Sequence, residues 1–310
     1  MKKETDVRVK MFRVDGDYFP FVKVGYMDKD AQEHTGLMIL DSGSDQSILS
    51  HKIADSMTPV RKKENKTTDI ITSANTVVTL SHAEFSFVMG GKSFSEDFCV
   101  SNDELPLGTI GDLPTIGLLG NQFMQRHALA IDYRDFSVHT STAEQEGFEV
   151  SDCDYFFPME KGLKEFGIPI VLLSHDQEGF LAMADTGATH NMIASATINK
   201  IGLECRFLNE KDIIKGIDGE IEVNEAIVKF NLASLTEDDG VEIPRQEQFK
   251  VSSNYLIEPK EDRCDKNGNQ FPPVEALIGS PFMAKEGWVL DFGTQIIYKR
   301  KSSDHLQKAV

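Results

Sequence analysis

The chain has 310 residues, of which 40% are hydrophobic and 26% charged, and its formal net charge is −18. This length is enough for two domains with a core each, and the composition is that of a globular protein, which argues against a fibrous or disordered one. The negative charge argues against nucleic-acid binding, which requires a basic face. No apolar stretch is long enough to span a membrane.

The cysteines are widely spaced and favour a reducing compartment; they are Cys99, Cys153, Cys205 and Cys264. Neither they nor the eight histidines fall at the spacing of metal ligands, so we expect no metal and no cofactor. The N-terminus has a positive start without an apolar segment after it. We therefore expect a cytoplasmic protein if Met1 is the native start, and an exported or lipid-anchored one if a leader precedes it.

In the first half of the chain, residues 36–44 read Gly-Leu-Met-Ile-Leu-Asp-Ser-Gly-Ser, an apolar run that leads directly to Asp41. Such a run predicts a buried strand, and we expect a short helix after it. Residues 76–87 alternate between apolar and polar side chains, which is typical of a half-buried strand. Residues 117–124 read Gly-Leu-Leu-Gly-Asn-Gln-Phe-Met, and a last strand is predicted at residues 129–133.

The second half of the chain repeats these features in the same order. An apolar run precedes Asp185 in residues 179–188, and residues 219–230 alternate as residues 76–87 do. A second glycine motif follows in residues 276–283, and a last strand is predicted at residues 288–292. The second copy is longer than the first, and we assign its extra residues to surface loops at residues 236–248 and 258–270.

The repeated order indicates two copies of one structural unit. We place the N-terminal unit at residues 1–147 and the C-terminal unit at residues 148–310, joined within a polar run. Most elements are short and strand-like, which predicts a mostly β protein with a few short helices. We expect two of these helices to have Asn121 and Ser280 as N-caps, with Pro281 at the first helical position of the second.

Paired carboxylates such as Asp41 and Asp185 can hydrolyse an amide without a metal or a nucleophilic side chain. At short separation they share one proton, because two like charges in contact cannot both ionise. The ionised carboxylate can then accept a proton from water while the neutral one polarises the substrate carbonyl. Proton sharing by the two Asp residues of aspartic peptidases is a known example of this effect, and we apply it to this sequence.

The residues after each Asp suit the same chemistry. The hydroxyl groups of Ser42 and Thr186 can form hydrogen bonds across the pseudo-two-fold axis and tie the two loops together. Gly43 and Gly187 permit a tight turn that brings backbone N–H groups to the carboxylates.

The two loops differ at the next position, where one has Ser44 and the other Ala188. Ser44 has a hydroxyl group that could donate a hydrogen bond to the Asp41 carboxylate, and Ala188 has none. We therefore expect Asp41 to carry more of the negative charge and Asp185 more of the shared proton.

These motifs resemble those of the retropepsin-like and pepsin-like aspartic peptidases, over nearly the whole chain. Residues 41–45 and 185–189 match the family's Asp-Thr/Ser-Gly signature, and residues 118–120 and 277–279 resemble its hydrophobic-hydrophobic-glycine motif. The resemblance implies an all-β fold with a few short helices and two pseudo-symmetric closed β-barrel lobes. Each lobe would resemble one retropepsin subunit, and the two Asp residues would form the catalytic pair.

The resemblance also implies a substrate cleft that hairpin flaps close. The flap tips would lie where turn residues interrupt the strand pattern, at Ser73, Ala74 and Asn75 and at Gly216, Ile217 and Asp218. Asp45 and Thr189 match a position that contacts the substrate backbone in retroviral relatives, and only Asp45 is charged. The sequence departs from the family because no tyrosine stands at either flap tip, and no arginine follows the glycine motifs.

Together these features predict an aspartic endopeptidase that binds a peptide or protein substrate in an extended conformation. One chain carries both Asp residues, so a monomer is sufficient for activity. The alternative is a peptide-binding or assembly module with the same cleft and little or no catalysis, which the unusual flap tips and the acidic surface favour.

Overall fold

The computed structural model describes residues 6–14, 17–71, 77–101, 108–159, 167–216, 219–236, 239–253, 270 and 272–301. These residues are mostly in β-strands, and they include five short helices. None of the helices in this part of the chain has the length and apolar character needed to cross a membrane.

The first half contains, in chain order, β1 Arg8–Lys10, β2 Phe12–Val14, β3 Asp17–Phe19, β4 Phe21–Met27, β5 Glu33–Leu40, β6 Ile48–Leu49, α1 His51–Ser56, β7 Arg61–Ile71, β8 Val77–Met89, β9 Lys92–Val100, β10 Thr109–Ile110, β11 Leu113–Leu119, α2 Asn121–Arg126, β12 Leu129–Asp132, β13 Ser137–Thr140 and α3 Thr142–Glu146.

The second half begins with a 3-10 turn at Val150–Asp152 and continues with β14 Cys153–Pro158, β15 Ile170–His175, β16 Glu178–Asp185, β17 Asn191–Ala194, α4 Ser195–Ile201, β18 Cys205–Gly216, β19 Gly219–Thr236, β20 Asp239–Ser252, β21 Val274–Gly279, α5 Ser280–Glu286, β22 Val289–Asp291 and β23 Ile296–Arg300.

Each half closes into a six-stranded barrel. In the first half the strand order is β11-β5-β4-β8-β9-β6, and β6 pairs back with β11. In the second half the order is β21-β16-β15-β19-β20-β17, and β17 pairs back with β21. Strands β5 and β16 occupy the same place in the two rings, each between one antiparallel and one parallel neighbour. The predicted fold class, with two closed barrels related by an internal duplication, is confirmed.

The burial of side chains explains why these segments form strands. Strand β8 buries every second side chain toward its end, at Phe85, Phe87 and Met89, and exposes the residues between them. This period of two gives a strand with one face on the core and one in solvent. Residues 37–40 of β5 are instead buried on both faces, which accounts for the unbroken apolar run before Asp41.

A six-stranded antiparallel sheet, β1-β13-β12-β22-β23-β14, joins the two barrels. Strands β12 and β22 meet at its centre, where Ile131 pairs with Leu290. Both side chains are fully buried, and they belong to one apolar core that extends through both halves of the molecule and includes Trp288. Because the lobes share a sheet and a core, the loops that project from the two barrels have a defined separation.

Helices α1, α2, α4 and α5 lie where short helices were predicted, but the predicted N-caps are wrong. The N-caps are Gly120 and Gly279, so Asn121 and Ser280 are the first helical residues and Pro281 comes one position later than predicted. The side chains of Asn121 and Ser280 do not cap their own helices because they bind the backbone of the two Asp loops, as described below.

The predicted surface loop at residues 236–248 is also wrong. Strand β20 pairs with β19 from Thr236 and Asp239 onward, so most of this segment is one arm of a long hairpin. Only residues 249–252 of β20 have a second neighbour, β17, and the preceding residues therefore form an edge strand. An edge strand tolerates polar residues and proline, which gave the segment its loop-like composition. The other predicted loop, 258–270, lies outside the described residues except for Gln270.

We predict that Gly117 is required for closure of the first barrel. A Cβ atom at Gly117 would lie 2.4 Å from Ile48 O and 3.2 Å from Leu49 Cα, both backbone atoms of β6. Gly117→Ala should therefore lower the free energy of unfolding by about 2 kcal/mol or more, as overpacking in a core does. Gly25→Ala in β4 is the matched control, because its nearest atom would be 3.7 Å away. Urea denaturation measures both; equal losses would contradict the assignment.

Candidate active site

The two Asp motifs lie at the ends of equivalent strands and form matching turns. Asp41 directly follows β5, and Asp185 is the last residue of β16. The N–H group of Asp41 donates to Leu119 O at 3.0 Å, and Asp185 pairs with Gly279. We call residues 41–47 the Asp41 loop and residues 185–191 the Asp185 loop. Each loop begins where a strand ends that is paired in parallel with its neighbour, β5 with β11 and β16 with β21.

The carboxyl groups of Asp41 and Asp185 adjoin each other, and each alters the pKa of the other. Gly43 N donates to Asp41 Oδ1 at 2.9 Å, and Gly187 N donates to Asp185 Oδ1 at 2.8 Å. Both Asp residues are half-buried. Two acids in this contact hold one proton between them.

The glycine in each motif is required by the opposite carboxyl group. A Cβ atom on Gly43 would lie 2.5 Å from Asp185 Cγ, and one on Gly187 would lie 2.7 Å from Asp41 Cγ. Neither glycine has a positive φ angle, so conformational freedom is not the reason for glycine here. Any side chain at these positions would push the two carboxyl groups apart.

The hydroxyl groups of Ser42 and Thr186 connect the two loops, as predicted. Ser42 N donates to Thr186 Oγ1 at 2.9 Å, and Thr186 N donates to Ser42 Oγ at 2.8 Å. Each hydroxyl group also donates to a strand carbonyl of the opposite lobe: Ser42 Oγ to Ala184 O at 2.6 Å and Thr186 Oγ1 to Leu40 O at 2.5 Å. Ser42 and Thr186 are fully buried, so these four hydrogen bonds have no competition from water.

Burial raises the pKa of Asp41 well above its ordinary value, and the neighbouring Asp185 carboxyl group raises it further. Burial also raises the pKa of Asp185, but the N–H groups of Gly187, Ala188 and Gly43 oppose that rise because they bind the ionised form. The two carboxyl groups therefore share one proton, and the N–H donors to Asp185 favour ionisation of that carboxyl group.

The predicted assignment of charge to Asp41 loses its premise. Its premise was a hydrogen bond from Ser44 to the carboxylate, but Ser44 Oγ donates to Gln46 O at 2.7 Å. A hydroxyl group has one proton, and the carbonyl two residues ahead is the nearer local acceptor. Ala188, its counterpart, packs against an apolar cluster of the second lobe.

The predicted substrate-contact residues Asp45 and Thr189 have different surroundings. Asp45 is half-buried, and its Oδ2 atom accepts hydrogen bonds from Gln46 Nε2 and Gln122 Nε2, both at 2.9 Å. Thr189 is exposed, and its Oγ1 atom lies 2.7 Å from His190 Nδ1. The difference in charge expected from the sequence is therefore accompanied by a difference in burial.

Each predicted flap tip falls, in the sequence, between two strands that pair with each other. In the first lobe β7 and β8 pair as far as Ile71 and Val77, and the predicted tip residues between them, Ser73, Ala74 and Asn75, lie outside the described residues. In the second lobe Gly216, the last residue of β18, pairs with Gly219 of β19. Ile217 and Asp218, between these two glycines, also lie outside the described residues.

Asn121 and Ser280 contact the two loops in a way that the sequence reasoning missed. Asn121 Nδ2 donates to Ser42 O at 2.7 Å, to Ser44 O at 3.1 Å and to Gly167 O of the second lobe at 3.0 Å. Ser280 Oγ donates to Thr186 O at 2.7 Å. Asn121 and Ser280 each directly follow one of the two glycine motifs, and this shared position is the sequence feature that could have identified them.

The glycine motifs support the loops through close backbone contact. A Cβ atom on Gly120 would lie 2.5 Å from Gln46 O, and one on Gly279 would lie 2.7 Å from His190 O. The end of each glycine strand is thus pressed against the backbone of an Asp loop, which explains why both copies end the strand with glycine.

Comparison with known proteins gives no family for the chain: no protein-family model matches it, and no curated protein matches it either. Within the described residues, no group of three or more His, Cys, Asp or Glu side chains is arranged to hold a metal ion. The function must therefore be argued from the geometry of the Asp loops.

We predict that the hydroxyl group of Thr186 stabilises the fold through its bonds across the axis. Thr186→Val would leave Ser42 N and Leu40 O buried without their partner, and it should lower the free energy of unfolding by about 2 kcal/mol. Thr186→Ser keeps the hydroxyl group and should lose less than about 1 kcal/mol. Urea denaturation compares the variants, and a loss in Thr186→Val no larger than that in Thr186→Ser would contradict the main role given to the hydroxyl group.

The raised pKa of Asp41 also predicts a stability that depends on pH. A carboxyl group with a raised pKa in the folded state destabilises the fold as pH rises from about 3.9, its unfolded value, through the folded value, by about 1.4 kcal/mol per pKa unit. Asp41→Asn removes this cost, so the variant should match or exceed wild type in stability near neutral pH. The difference should shrink below about pH 4. Denaturation at both pH values checks this; a wild-type advantage that grows with pH would contradict it.

Proposed function

We propose that the chain is an aspartic endopeptidase of the two-lobed, pepsin-like kind, with two fused retropepsin-type lobes. The observation that supports this most directly is the close approach of the Asp41 and Asp185 carboxyl groups, at the meeting point of two duplicated barrels. Fold alone would not be sufficient, because function depends on the site. Here two half-buried acids that are distant in the sequence meet, and burial raises the pKa of both.

The proposed reaction uses the two carboxyl groups in different roles. A water molecule attacks the carbonyl carbon of the peptide bond and gives a proton to the ionised Asp185. Asp41 gives its own proton to the carbonyl oxygen, so that charge does not build up on that oxygen. When the resulting diol collapses, the C–N bond breaks, the leaving nitrogen takes the proton that Asp185 received, and one hydroxyl group of the diol returns a proton to Asp41, which restores the starting state of the pair.

The substrate is proposed to be an extended peptide segment lying between the lobes. The hairpins β7–β8 and β18–β19 rise from the two barrels in equivalent positions and would close over it. Asp45 and Thr189 would flank the segment on the two sides of the pseudo-axis. One chain supplies both Asp residues, so a monomer would be sufficient for the proposed activity.

A pooled peptide library with a mass-spectrometric readout tests the proposal. Wild type should cleave a subset of the peptides, and Asp41→Asn or Asp185→Asn should lower cleavage by about a thousandfold or more, because each removes half of a unit that acts together. Asp154→Asn is the matched control, since this Asp is exposed on β14 and lies outside the Asp loops. A statine-type peptide should inhibit wild type, because its hydroxyl group replaces the attacking water.

Two outcomes would contradict the enzyme proposal. If wild type and both Asp variants bind peptides equally and none is cleaved, the chain is the peptide-binding or assembly module considered above. If cleavage is the same in wild type and in both Asp variants, the activity comes from a contaminant or from another site.

A further inference from the structure

The two Asp loops are held in place by different side chains. In both loops the carbonyl group of the residue after Asp, Ser42 O or Thr186 O, accepts a hydrogen bond from the residue after the glycine motif. For Ser42 O the donor is the amide of Asn121. For Thr186 O the donor is Ser280 Oγ, which is a shorter side chain with a single proton to give.

Tyr133 completes the arrangement on the Ser280 side. Its hydroxyl group is hydrogen-bonded to Ser280 Oγ. Because Ser280 gives its only proton to Thr186 O, and a carbonyl group can only accept, Tyr133 must be the donor to Ser280. Tyr133 follows β12 and therefore belongs to the first lobe, whereas Ser280 and Thr186 belong to the second.

The hydroxyl group of Tyr133 has no counterpart on the other side of the axis. Tyr133 N donates to Trp288 O at 3.0 Å, and in the second copy Phe292 N donates to Leu129 O at 2.9 Å. Phe292 is therefore the equivalent residue, and it has no hydroxyl group. The longer Asn121 stands on the side with phenylalanine, and the shorter Ser280 stands on the side with tyrosine.

The carbonyl group of Thr186 belongs to the same peptide group as Gly187 N–H, which donates to Asp185 Oδ1 at 2.8 Å. A peptide group is planar, so a donor that fixes the carbonyl direction also fixes the direction of the N–H group. A hydrogen bond to the carbonyl oxygen also polarises the peptide group and strengthens its N–H as a donor. Tyr133, Ser280 and Thr186 are all at most 1% exposed, so water does not weaken this chain of hydrogen bonds.

We propose that Tyr133 and Ser280 are positioning residues for Asp185: together they fix the Thr186–Gly187 peptide group, whose N–H holds the Asp185 carboxylate in its ionised form. The inference rests on the proposed function for its catalytic meaning. It adds that the charge on the second lobe's Asp depends on a hydroxyl group supplied by the first lobe, so that correct docking of the lobes and the ionisation of Asp185 are coupled.

The direct test is the titration of Asp185 in the Asp41→Asn background, followed by NMR of carbon-13-labelled Asp side chains. Removal of the Tyr133 hydroxyl group by Tyr133→Phe should raise the pKa of Asp185 by about half a unit or more, because the N–H donor from Gly187 becomes less well fixed. Tyr298→Phe is the matched control; this tyrosine is also buried, but its hydroxyl group pairs with Arg300. The control should leave the titration of Asp185 unchanged.

A rescue variant separates positioning from packing. Tyr133→Phe combined with Ser280→Asn reproduces the combination of phenylalanine and asparagine that the other side of the axis has in Phe292 and Asn121. The amide of the new asparagine should donate to Thr186 O in place of Ser280 and Tyr133. The pKa of Asp185 should then return to within about 0.3 units of its value in the Asp41→Asn protein that retains Tyr133 and Ser280. If Tyr133→Phe alone does not fold, this double variant still decides the question, since a strongly raised pKa of Asp185 in it would count against the proposal.

Kinetics on the fastest-cleaved library peptide, with Asp41 intact, give the catalytic readout. In Tyr133→Phe the acidic limb of the kcat/KM profile should move to higher pH, and kcat should fall by about tenfold with little change in KM, as expected when a reacting group is slightly misplaced. A folded Tyr133→Phe protein in which the Asp185 titration is unchanged would overturn the proposal, even if its stability were lower. If no library peptide is cleaved, the proposed function fails, and the titration still decides whether Tyr133 positions Asp185.

Discussion

The reciprocal hydrogen bonds between Ser42 and Thr186 are the contact on which the site depends. They join the ends of two strands that belong to different barrels, and without them each Asp would stand at the end of its own strand with no fixed partner. A buried hydrogen bond contributes about 1 kcal/mol, which is similar to the cost of raising one carboxyl pKa by one unit. The loops alone could therefore offset only part of the cost of two adjacent buried acids, and the shared sheet and apolar core must carry the remainder.

The two copies have kept one backbone arrangement and filled it with different side chains. Gly120 N donates to Ser47 Oγ at 3.2 Å, whereas Gly279 N donates to Asn191 Oδ1 at 3.0 Å. A symmetric dimer could not differ in this way, because each substitution would appear on both sides. In a fused chain each side can vary alone, and Asn121 on one side and Ser280 on the other are a second example.

The features of this structure that could be predicted are those that depend on short stretches of sequence and occur in both halves of the chain. An apolar run followed by Asp-Ser/Thr-Gly predicted both loops, and alternating residues predicted the strands β8 and β19. The role of Ser44 was misjudged because the carbonyl of Gln46, two residues ahead, competes for its proton. The hydrogen bond from Tyr133 to Ser280 could not be predicted, because it joins residues 147 positions apart whose proximity arises only when the two lobes share a sheet.

Few positions in the candidate site are sterically fixed. Gly43 and Gly187 each touch the opposite carboxyl group, and Gly120 and Gly279 each touch the backbone of an Asp loop. These contacts leave no room for a side chain, so substitution there would separate the two acids. Elsewhere a change in one side chain can be offset by its neighbour, as tyrosine with serine stands in for asparagine on the second side. A sequence under such constraints can change at most positions and still keep the two acids in contact.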